Sequence, residues 1–373
     1  MGLVNLKILH FRNLLSSNLF PHPKGINFIY GGNGSGKTSL LESIYYLSMA
    51  RSFRTLNNDR IITNGCEELS LFGQIELTSN LLFPVGLKRT QSGEITIRLN
   101  GKDISSIAEL AKALPVQLID SQTHNLLSGS PSLRRKYVDW GAFYLIPDFY
   151  RAWRDYTRAL KQRNAALRAR LSTKEIALWT QELVDNTEIL NQFRQHYLNL
   201  LLPLLTRVVQ TLLPHLTLHI KYSRGWKEEI DYTHVLADSL SRDIQLGFTQ
   251  FGAHRAELKI SINQLPAKDI LSRGQQKLLV CAMIIAQGAL LQTEGSQQPI
   301  YLVDDLPAEL DDTSRARLIA LLSQQNTQTF VTAVEPKGWK EFANYQPTKL
   351  FHVEHGKVTE ISQQEIKHVE YEL

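Results

Sequence analysis

Apolar residues near the N terminus alternate or run together in a way that is typical of β-strands. Two such segments, 3–9 and 26–30, predict strands, and the second leads directly into a glycine-rich turn. Beyond the turn, apolar residues at helical spacing across 39–49 predict a helix. The pattern therefore predicts the order strand, glycine turn, helix.

The rest of the chain changes character twice. Short alternating segments across 69–99 predict an antiparallel meander with turns at 79–80 and 92–93. Residues 133–213 are rich in Leu, Arg, Ala and Gln at helical spacing and contain almost no glycine, which predicts a helical lobe. Residues 271–334 then alternate between helix and strand, as in an α/β domain. The further predicted strands are 115–120, 215–222, 252–262, 300–303 and 329–334, and the further predicted helices are 271–291 and 313–324.

Composition places the chain among globular proteins. Of its 373 residues, 43% are hydrophobic and 21% charged, and the length suffices for two or three domains. The best membrane-span candidate, 198–213, is interrupted by a proline and two polar residues, so no span is predicted. The N-terminal residues lack a signal-peptide pattern, and Cys66 and Cys281 cannot build a disulfide framework. We expect a reducing, cytoplasmic location.

Basic residues are concentrated in the predicted helical lobe. The net charge is +5, but residues 134–170 hold ten Lys or Arg against three acidic residues. Such a field favours a polyanion such as nucleic acid, and a solvated helix face is the alternative. For Arg54 the alternatives are a contact to DNA or nucleotide and a surface salt bridge. The candidate DNA contacts are Arg54, Arg134, Arg135, Arg151, Arg154, Arg158 and Lys161.

Four of these candidates, from Arg151 to Lys161, form one stripe on a helix predicted over 149–171. They recur at intervals of three, four and three residues, so they share a helix face that can follow a phosphate backbone without reading sequence. The interleaved Trp153 and Tyr156 are interpreted as core residues rather than as platforms for base stacking.

Residues 31–38, with the sequence GGNGSGKT, match the phosphate-binding loop G-x-x-x-x-G-K-[ST] between the predicted strand and helix. The glycines let backbone N–H groups converge on a phosphate, Lys37 reaches the β- and γ-phosphates, and the Thr38 hydroxyl can bind Mg²⁺. The predicted nucleotide-binding residues of this P-loop are Gly31, Gly32, Asn33, Gly34, Ser35, Gly36, Lys37 and Thr38.

A pair of acids ends a predicted buried strand. Four apolar residues, 300–303, precede Asp304 and Asp305. Asp304 is predicted to complete the Mg²⁺ shell, and Asp305 to orient or deprotonate the attacking water. Burying two like charges side by side is expensive, so such pairs are seldom structural. Because 266 residues separate Thr38 from Asp304, a large module must be inserted between the two motifs.

The sequence LSRGQQK, residues 271–277, lies at the start of another predicted helix. Ser272 is a favourable N-cap and Gly274 keeps the backbone open, so the helix N terminus can approach a γ-phosphate. The P-loop of the same chain already holds one nucleotide. The natural target of this segment is therefore a nucleotide bound to another subunit.

The motif L-S-x-G-Q before a strand that ends in two acids resembles the signature of ABC-type ATPases. The chain as a whole resembles the RecF family of the SMC-like ABC group, and the resemblance covers nearly its full length. The segments that carry it are 11–13 (FRN), the P-loop, 52–55 (SFRT), 134–140 (RRKYVDW), 160–167 (LKQRNAAL), 254–255 (HR), 271–277, 304–305 and 309–311.

This resemblance implies an α/β fold, an ABC-type P-loop ATPase head (lobe I) with an inserted, mainly helical lobe II. The implied boundaries are 1–132 and 246–373 for the two parts of lobe I and 133–245 for lobe II. It also implies an ATP-dependent homodimer with nucleotides between the P-loop of one subunit and the signature of the other. The residues carried over are Lys37 and Thr38 for phosphate and Mg²⁺, Arg12 and Asn13 for the nucleotide, Asp304 for the metal, Asp305 as the catalytic carboxylate, Ser272, Gly274 and Gln275 in trans, and Asp311 in the D-loop.

The sequence departs from the family pattern at three places. Gln122, the third predicted metal ligand, stands at the Q-loop position, where the family often has Pro-Glu. Segment 252–257 has Ala and Glu where the family usually has Pro and Asp. No His follows the predicted strand 329–334, where Thr332 or Ala333 stands, so we expect slow ATP hydrolysis with ATP acting as a clamp switch.

The resemblance implies an ATP-dependent DNA-binding protein of recombinational repair and replication restart. It implies a weak, DNA-stimulated ATPase that binds single-stranded, gapped or junction DNA and helps recombinase loading, with RecR and RecO as partners and no membrane. The alternative is an ABC-type ATPase subunit of a transporter or of another nucleoprotein complex. An SMC or nuclease head with a coiled coil needs heptad arrays that the sequence lacks. Without a second acidic metal cluster, no nuclease activity is expected.

Overall fold

A computed structural model describes residues 1–55, 58–77, 81–305, 310–336, 342 and 347–361. The chain divides into two compact units. Unit 1 comprises Met1–Thr123 and Ser296–Leu373, and unit 2 comprises His124–Gly295. The strands in chain order are β1 (Gly2–Phe11), β2 (Leu14–Leu19), β3 (Gly25–Tyr30), β4 (Glu68–Glu76), β5 (Leu82–Thr90), β6 (Ile95–Leu99), β7 (Lys102–Ile104), β8 (Val116–Ile119), β9 (Leu218–Ser223), β10 (Glu257–Ile262), β11 (Leu265–Pro266), β12 (Ile300–Val303), β13 (Gln328–Ala333), β14 (Thr348–Glu354) and β15 (Lys357–Ile361). The helices are α1 (Lys37–Met49), α2 (Ile107–Ala113), α3 (Asn125–Ser128), α4 (Pro131–Leu145), α5 (Phe149–Arg168), α6 (Thr173–Leu212), α7 (Tyr232–Leu246), α8 (Ala267–Ile270), α9 (Arg273–Glu294) and α10 (Asp312–Gln324), with 3₁₀ turns at Asn58–Ile61 and Ala253–Arg255.

One six-stranded sheet of unit 1 positions both predicted phosphate motifs. Its order is β15-β14-β3-β13-β12-β8, and every pairing is parallel except that of β14 with β15. Strands β12 and β13 are almost completely buried, which is typical of parallel strands covered on both faces. Because parallel strands end at the same sheet edge, the P-loop after β3 and the acids after β12 meet there.

The second sheet of unit 1 is the predicted meander, in the antiparallel order β2-β1-β4-β5-β6-β7. Alternate residues of β4 are buried, and Gly73 lies on that buried face. A Cβ at Gly73 would lie 2.7 Å from a methyl carbon of Leu47 in α1, so a larger residue here would force the leucine side chain to move. The apolar core that surrounds α1 draws residues from both sheets. The predicted turn at 79–80 lies outside the described residues.

Unit 2 is built around long helices and a three-stranded sheet, β11-β10-β9. Helix α6 has 40 residues and begins with a capping box between Ser172 and Glu175. Helices α4 and α6 pack against α9, where the Tyr137 hydroxyl donates to the Met283 carbonyl at 2.9 Å. Gln287 of α9 donates both to the Tyr137 carbonyl and to the Tyr197 hydroxyl, each at 2.7 Å. The helix that follows the signature is therefore part of the core of unit 2.

The compact units have boundaries different from those predicted for the lobes. The signature helix α9 was placed in lobe I by the boundary at 245/246, whereas its packing against α4 and α6 places it in unit 2. Within the described residues, α9 is also the one helix long and apolar enough to cross a membrane, with a mean hydropathy of 1.3 in its best window, of which 78% is buried. Such burial is typical of a core helix. The lobe boundaries themselves remain predictions.

Most predicted elements are present, and three kinds of difference have physical reasons. Segment 252–256 was predicted as strand, but Ala253–Arg255 forms a 3₁₀ turn that starts at Gly252, whose φ is +135°. Helix α7 was missed, although Asp231 caps it by accepting from the Thr233 amide at 2.8 Å. The hairpin of β14 and β15 was missed because its apolar residues follow no single period.

Two segments that carry the family resemblance have structural roles in unit 2. In the segment LKQRNAAL, Arg163 is completely buried and donates to Asp243 at 2.8 Å and to Thr249 at 2.7 Å. The neighbouring Asn164 accepts from the Thr249 amide at 2.8 Å. Removing one partner of a buried ion pair leaves the other charge unpaired and costs much stability. The bonds from Arg163 and Asn164 to Asp243 and Thr249 therefore hold the chain in place at the end of α7 and just after it.

His254 is held by hydrogen bonds to Tyr156 and to the Thr249 carbonyl. The Tyr156 hydroxyl accepts from the His254 amide at 2.8 Å and lies 2.7 Å from Nδ1, while Nε2 lies 2.9 Å from the Thr249 carbonyl. A carbonyl accepts only from N–H, so Nε2 carries the proton and Nδ1 accepts from Tyr156. Burial, followed by the nearby Arg255 and Arg135 charges, lowers the pKa of His254 to about 4.

This neutral histidine predicts a loss of stability in acid. An unfolded histidine binds a proton below a pH of about 6.5, whereas the folded one does so only near its lowered pKa of about 4. Stability contributed by neutral His254 is therefore complete above pH 6.5 and lost as the pH falls toward 4, by at most about 3 kcal/mol. Thermal unfolding between pH 7 and 4 should show a shallower pH dependence in His254→Gln than in the wild type. Parallel curves for both proteins would contradict this role.

Candidate nucleotide-binding site

The P-loop connects β3 to α1, and the side chain of its lysine bends back to the first residues of the loop. Lys37, the first residue of α1, is 8% exposed, and its Nζ donates to the Gly31 carbonyl at 2.7 Å and to the Gly32 carbonyl at 3.0 Å. Burial lowers the pKa of Lys37, and the Asp305 and Asp304 charges oppose that shift. Both acceptors are neutral, so the ammonium charge is available to an anion in the loop.

Two neighbouring turns brace the P-loop. From the β1–β2 turn, Asn13 donates through Nδ2 to the Ser35 carbonyl at 3.2 Å. From the β14–β15 turn, the Gly356 amide donates to the same carbonyl at 2.8 Å. A Cβ at Gly356, whose φ is +77°, would lie 2.1 Å from the Asn13 carbonyl oxygen, so the two turns touch only because this residue is glycine. Asn13, predicted to bind nucleotide, thus holds the shape of the loop.

A hydrogen bond joins the two phosphate motifs. The Thr38 hydroxyl donates to Oδ1 of Asp304 at 3.1 Å, and the Thr332 hydroxyl of β13 donates to the same oxygen at 2.9 Å. Burial raises the pKa of Asp304, the two hydroxyls lower it, and the Asp305 and Asp120 charges raise it further. The site thus contains a partly desolvated carboxylate that a cation would stabilise.

Thr332 also orients the second acid. Asp305 has a φ of +54°, a left-handed conformation that costs a non-glycine residue roughly 1–3 kcal/mol, and its amide donates to the Thr332 hydroxyl at 2.7 Å. In the sequence, Thr332 was notable only because it, or Ala333, stands at the position after the predicted strand where a histidine was looked for and not found. In the structure its single hydroxyl bonds both acids of the pair, accepting from the backbone of one and donating to the side chain of the other.

A third acid lies at the same sheet edge. Asp120 follows β8, the neighbour of β12, and accepts from the Gln122 amide at 2.9 Å and from the Thr123 hydroxyl at 3.0 Å. Its charge is one of the causes that raise the pKa of Asp304. Asp120 was not among the predicted site residues, although its place at the end of the predicted strand 115–120 was a usable signal. Gln122 is exposed in the turn after β8, and its metal role remains a prediction.

These residues fit ATP with Mg²⁺. The Thr38 hydroxyl and the Asp304 carboxylate are hard oxygen donors whose oxygens already lie side by side, and such donors suit Mg²⁺. In the P-loop, the Ser35 hydroxyl oxygen is buried without a hydrogen-bond partner among the described residues. A bound phosphate would supply that partner and a charged acceptor for Lys37. Mg²⁺ at Thr38 and Asp304 would neutralise charge on the phosphates.

Arg12 and Arg54 share a buried carboxylate in α1. Glu42 is fully buried and accepts from Arg12 at 2.7 and 3.0 Å and from the Ser52 hydroxyl at 2.5 Å, while Arg54 lies 3.5 Å away. The bidentate pair holds the Arg12 guanidinium, which also donates to the Arg60 carbonyl at 2.6 Å. Arg54 is about half exposed, which fits the salt-bridge alternative. The nucleotide role of Arg12 remains a prediction.

The signature segment begins α9 in unit 2 with a capping box. The Ser272 hydroxyl accepts from the Gln275 amide at 3.3 Å, and the Gln275 side chain accepts from the Ser272 amide at 3.0 Å. Gly274 lies between them in the first turn of α9. The predicted N-cap role of Ser272 is therefore present. The trans contact of all three residues remains a prediction.

The predicted D-loop residue Asp311 is the N-cap of α10. It accepts from the Ser314 amide at 2.9 Å and from the Ser314 hydroxyl at 2.7 Å, and these bonds lower its pKa. Residues 306–309 between Asp305 and this cap lie outside the described residues.

Two of the predicted DNA contacts have other partners in unit 2. Arg134 forms a bidentate pair with Glu257 at 2.7 and 2.9 Å and donates to three backbone carbonyls. Arg135 donates to the Ala256 carbonyl at 2.9 Å. These guanidinium groups connect α4 to the residues around the start of β10. A structural role accounts for both, so we remove them from the proposed DNA surface.

The stripe on α5 is exposed, in agreement with the predicted helix. Side-chain exposure is 78% for Arg151, 62% for Arg154 and 59% for Arg158, and Lys161 is also exposed. Arg158 is paired with Glu182 at 2.6 Å, which reduces its availability. Tyr156 is buried as predicted, but Trp153 is 38% exposed and stacks on the exposed Tyr150, so the core interpretation of Trp153 is wrong.

Fold and site together define an ATPase head of the ABC and SMC type. A family model described as RecF/RecN/SMC N terminal domain matches residues 2–359. The "DNA replication and repair protein RecF" of Shewanella baltica (strain OS223) is 44% identical over 97% of this chain and 100% of its own length, and that of Cellvibrio japonicus (strain Ueda107) is 44% identical over 96% and 99%. The chain belongs to the RecF family of DNA replication and repair proteins.

Solved structures agree with this fold. A recombination mediator protein RecF with ATP, described as part of the RecFOR pathway, has a TM-score of 0.85 with 23% identity over 97% of this chain and 98% of its own. An Smc head bound to the C-winged helix domain of ScpA has a TM-score of 0.61 with 14% identity over 99% and 100%. The predicted family and fold class are confirmed, and these relatives give the transporter alternative no support.

The dual hydrogen bonding of Thr332 predicts a specific effect on turnover. Thr332→Val removes the hydroxyl that bonds both Asp304 and Asp305 while keeping the side-chain shape. ATP hydrolysis should slow by roughly 30-fold or more, because two bonds are lost and each costs roughly 1–2 kcal/mol. Thr332→Ser, which keeps the hydroxyl, is the matched control. Steady-state turnover with Mg²⁺ and ATP measures the effect, and equal rates for the valine and serine variants would refute this role.

Proposed function

We propose that this protein is an ATP-gated DNA-binding ATPase of recombinational repair and replication restart. ATP with Mg²⁺ binds at the P-loop, two subunits then dimerise, and the dimer is retained on single-stranded, gapped or junction DNA to help recombinase loading. Hydrolysis is slow, is stimulated by DNA and releases the dimer. RecR and RecO are the proposed protein partners. The protein acts in the cytoplasm, without a membrane component and without nuclease activity.

The observation that carries this proposal is the contact between Thr38 and Asp304. Two motifs 266 residues apart place a hydroxyl and a carboxylate oxygen 3.1 Å from each other at the end of a parallel sheet. Lys37 lies in the same loop, as does the Ser35 hydroxyl, which has no hydrogen-bond partner among the described residues. Donors of this kind, held by a glycine-rich backbone, bind the phosphates and the metal of a nucleoside triphosphate.

Asp305 is proposed as the catalytic carboxylate that positions the attacking water. Its left-handed backbone conformation turns the residue away from the direction of β12, and Thr332 holds its amide. Within the residues that the structure describes, no histidine stands after β13 beside this pair. A carboxylate without an imidazole partner supports slow turnover, in which ATP serves to hold a conformation rather than to drive rapid cycles.

Dimerisation is proposed to place the capping box of α9 against the nucleotide of the partner subunit. The N terminus of this 22-residue helix carries a partial positive charge, and Ser272 and Gly274 leave its backbone approachable. Unit 2 supplies this segment, whereas unit 1 supplies the P-loop. Two composite sites per dimer therefore follow, each made of one P-loop and one signature.

DNA binding and the protein partners rest on the family and on the charge of α5. The solved relative is described as a recombination mediator in the RecFOR pathway. In this chain all four residues of the basic stripe are exposed, and Arg151, Arg154 and Lys161 are the ones that do not form the close ion pair that Arg158 makes with Glu182. Contacts of this kind bind the phosphate backbone without reading sequence, which suits a protein that recognises DNA structure.

The trans role of the signature predicts a separation of ATP binding from dimerisation. Ser272→Arg places a bulky cation at the helix N terminus, so each monomer should still bind ATP while the ATP-dependent dimer is lost. Light scattering gives the solution mass with ATP and Mg²⁺, in an Asp305→Asn background that slows hydrolysis. Ser272→Thr, which preserves the cap, is the control. A dimer that persists in Ser272→Arg would refute the composite site.

The basic stripe predicts a change in salt dependence. Replacing Arg151, Arg154 and Lys161 by Gln should weaken binding to a gapped duplex in the presence of ATP. The slope of log affinity against log salt should fall by about 2–3, since each lost phosphate contact removes roughly 0.7–0.9. Arg134→Gln is unsuitable as a control because its ion pair is structural, so the exposed Lys174→Gln serves instead. An unchanged slope in the triple variant would exclude the stripe from the DNA interface.

A further inference from the structure

We propose that unit 2 carries a phosphate-binding site formed by residues that the nucleotide site does not use. The site is a cavity of about 500 Å³ lined by β9, the loop after it, the turn before β10 and β10 itself. We call it the basic cavity. Its charged lining residues are Lys221, Lys227, Glu228, Glu229, Arg255 and Lys259. The proposal goes beyond the function proposed above because it requires neither ATP nor a dimer.

Two of the cations face each other across a strand pair. Lys221 of β9 lies directly opposite Lys259 of β10 in the antiparallel register, and both line the cavity. Like charges at opposed positions destabilise a sheet. None of the four cations forms an ion pair with the part of the chain that the structure describes, and they outnumber the two glutamates. An anion in the cavity would attract both ammonium groups and so offset their mutual repulsion.

A buried hydrogen-bond donor belongs to the same wall. Trp226 lines the cavity and is 7% exposed, and its Nε1 has no hydrogen-bond partner among the described residues. The ring lies between the Arg224 guanidinium, 4.5 Å from its centroid, and Tyr232, stacked at 4.3 Å. Buried N–H groups without an acceptor are rare because each costs free energy. Because the nitrogen itself has almost no accessible surface, the indole N–H is a buried reporter of the cavity wall and not a direct ligand of the phosphate.

The backbone holds the two sides of the cavity together. Gly225 has a φ of +101°, and a Cβ there would lie 2.1 Å from the Gly252 carbonyl oxygen. Glycine therefore lets the loop of Trp226 close on the turn that presents Arg255, whose amide donates to the Gly252 carbonyl at 2.8 Å. The backbone of Arg255 is thus fixed relative to the loop of Trp226 by main-chain contacts.

The lining favours a phosphate, which has two possible sources, a phosphodiester of a nucleic-acid backbone or free phosphate. Lysines provide point charges, and arginine adds a planar set of donors that matches phosphate oxygens. Phe251 also lines the cavity and is 40% exposed, and Phe248 beneath Arg255 is 37% exposed. Exposed rings beside a phosphate site are surfaces on which bases stack. We therefore assign the site to the backbone of single-stranded nucleic acid.

Indole NMR on the full chain, labelled with ¹⁵N-tryptophan, tests the assignment directly. The Trp226 resonance is identified with Trp226→Phe, and the protein is titrated without ATP with inorganic phosphate or with a short oligothymidylate. Lys221→Gln/Lys259→Gln removes the opposed pair. Lys174→Gln/Arg207→Gln removes two exposed charges elsewhere in unit 2. Thermal unfolding checks that all variants remain folded.

The expected result is a Trp226 shift that saturates with oligothymidylate and requires at least tenfold more ligand in Lys221→Gln/Lys259→Gln, with the control pair unchanged. Saturation by inorganic phosphate at equal or lower concentration would keep the phosphate site but overturn its assignment to nucleic acid. A shift with neither probe, or one unaffected by loss of the lysine pair, would overturn the proposal. Because ATP is absent, failure here leaves the dimer model intact, and failure of ATP-dependent dimerisation leaves this site intact.

Discussion

The hydrogen bond between Thr38 and Asp304 is the constraint on which the ATPase unit depends. It requires that β3 and β12 end at the same edge of one parallel sheet, with β13 between them. Strands β3 and β12 are therefore close in the sheet but far apart in the chain, where the meander and all of unit 2 lie between them. The chain must therefore cross over between the two motifs, and unit 2 lies within this crossover, between β8 and β12.

Burial around this contact has a consistent electrostatic pattern. Burial raises the pKa of Asp304 and lowers that of Lys37, so the charged form of each group is less favourable than it is in water. Hydroxyl groups and carbonyls, all neutral, hold these charges in place. A site of this kind suits a ligand that brings both anions and a cation, because Mg²⁺ and a triphosphate would take over the bonds that Lys37, Thr38 and Asp304 now make within the chain.

Sequence reasoning predicted the motifs well because each is local. The P-loop, the acids after β12 and the cap at Ser272 depend on a few adjacent residues whose chemistry is visible in one dimension. Contacts between distant segments were not predictable in this way. The pairing of Arg134 with Glu257, across 123 residues, and the bonds from Thr332 to both acids depend on which elements become neighbours. Charge alone made Arg134 look like a DNA contact, and only its partner reveals the structural role.

The turn between β14 and β15 has a consequence for the order of events during synthesis. The Gly356 amide supports the P-loop through Ser35, and β14 pairs with β3 from one side. The loop is encoded within the first tenth of the chain, yet its support is encoded near the other end. On a ribosome, the phosphate site therefore cannot reach its final form until nearly the whole polypeptide has emerged.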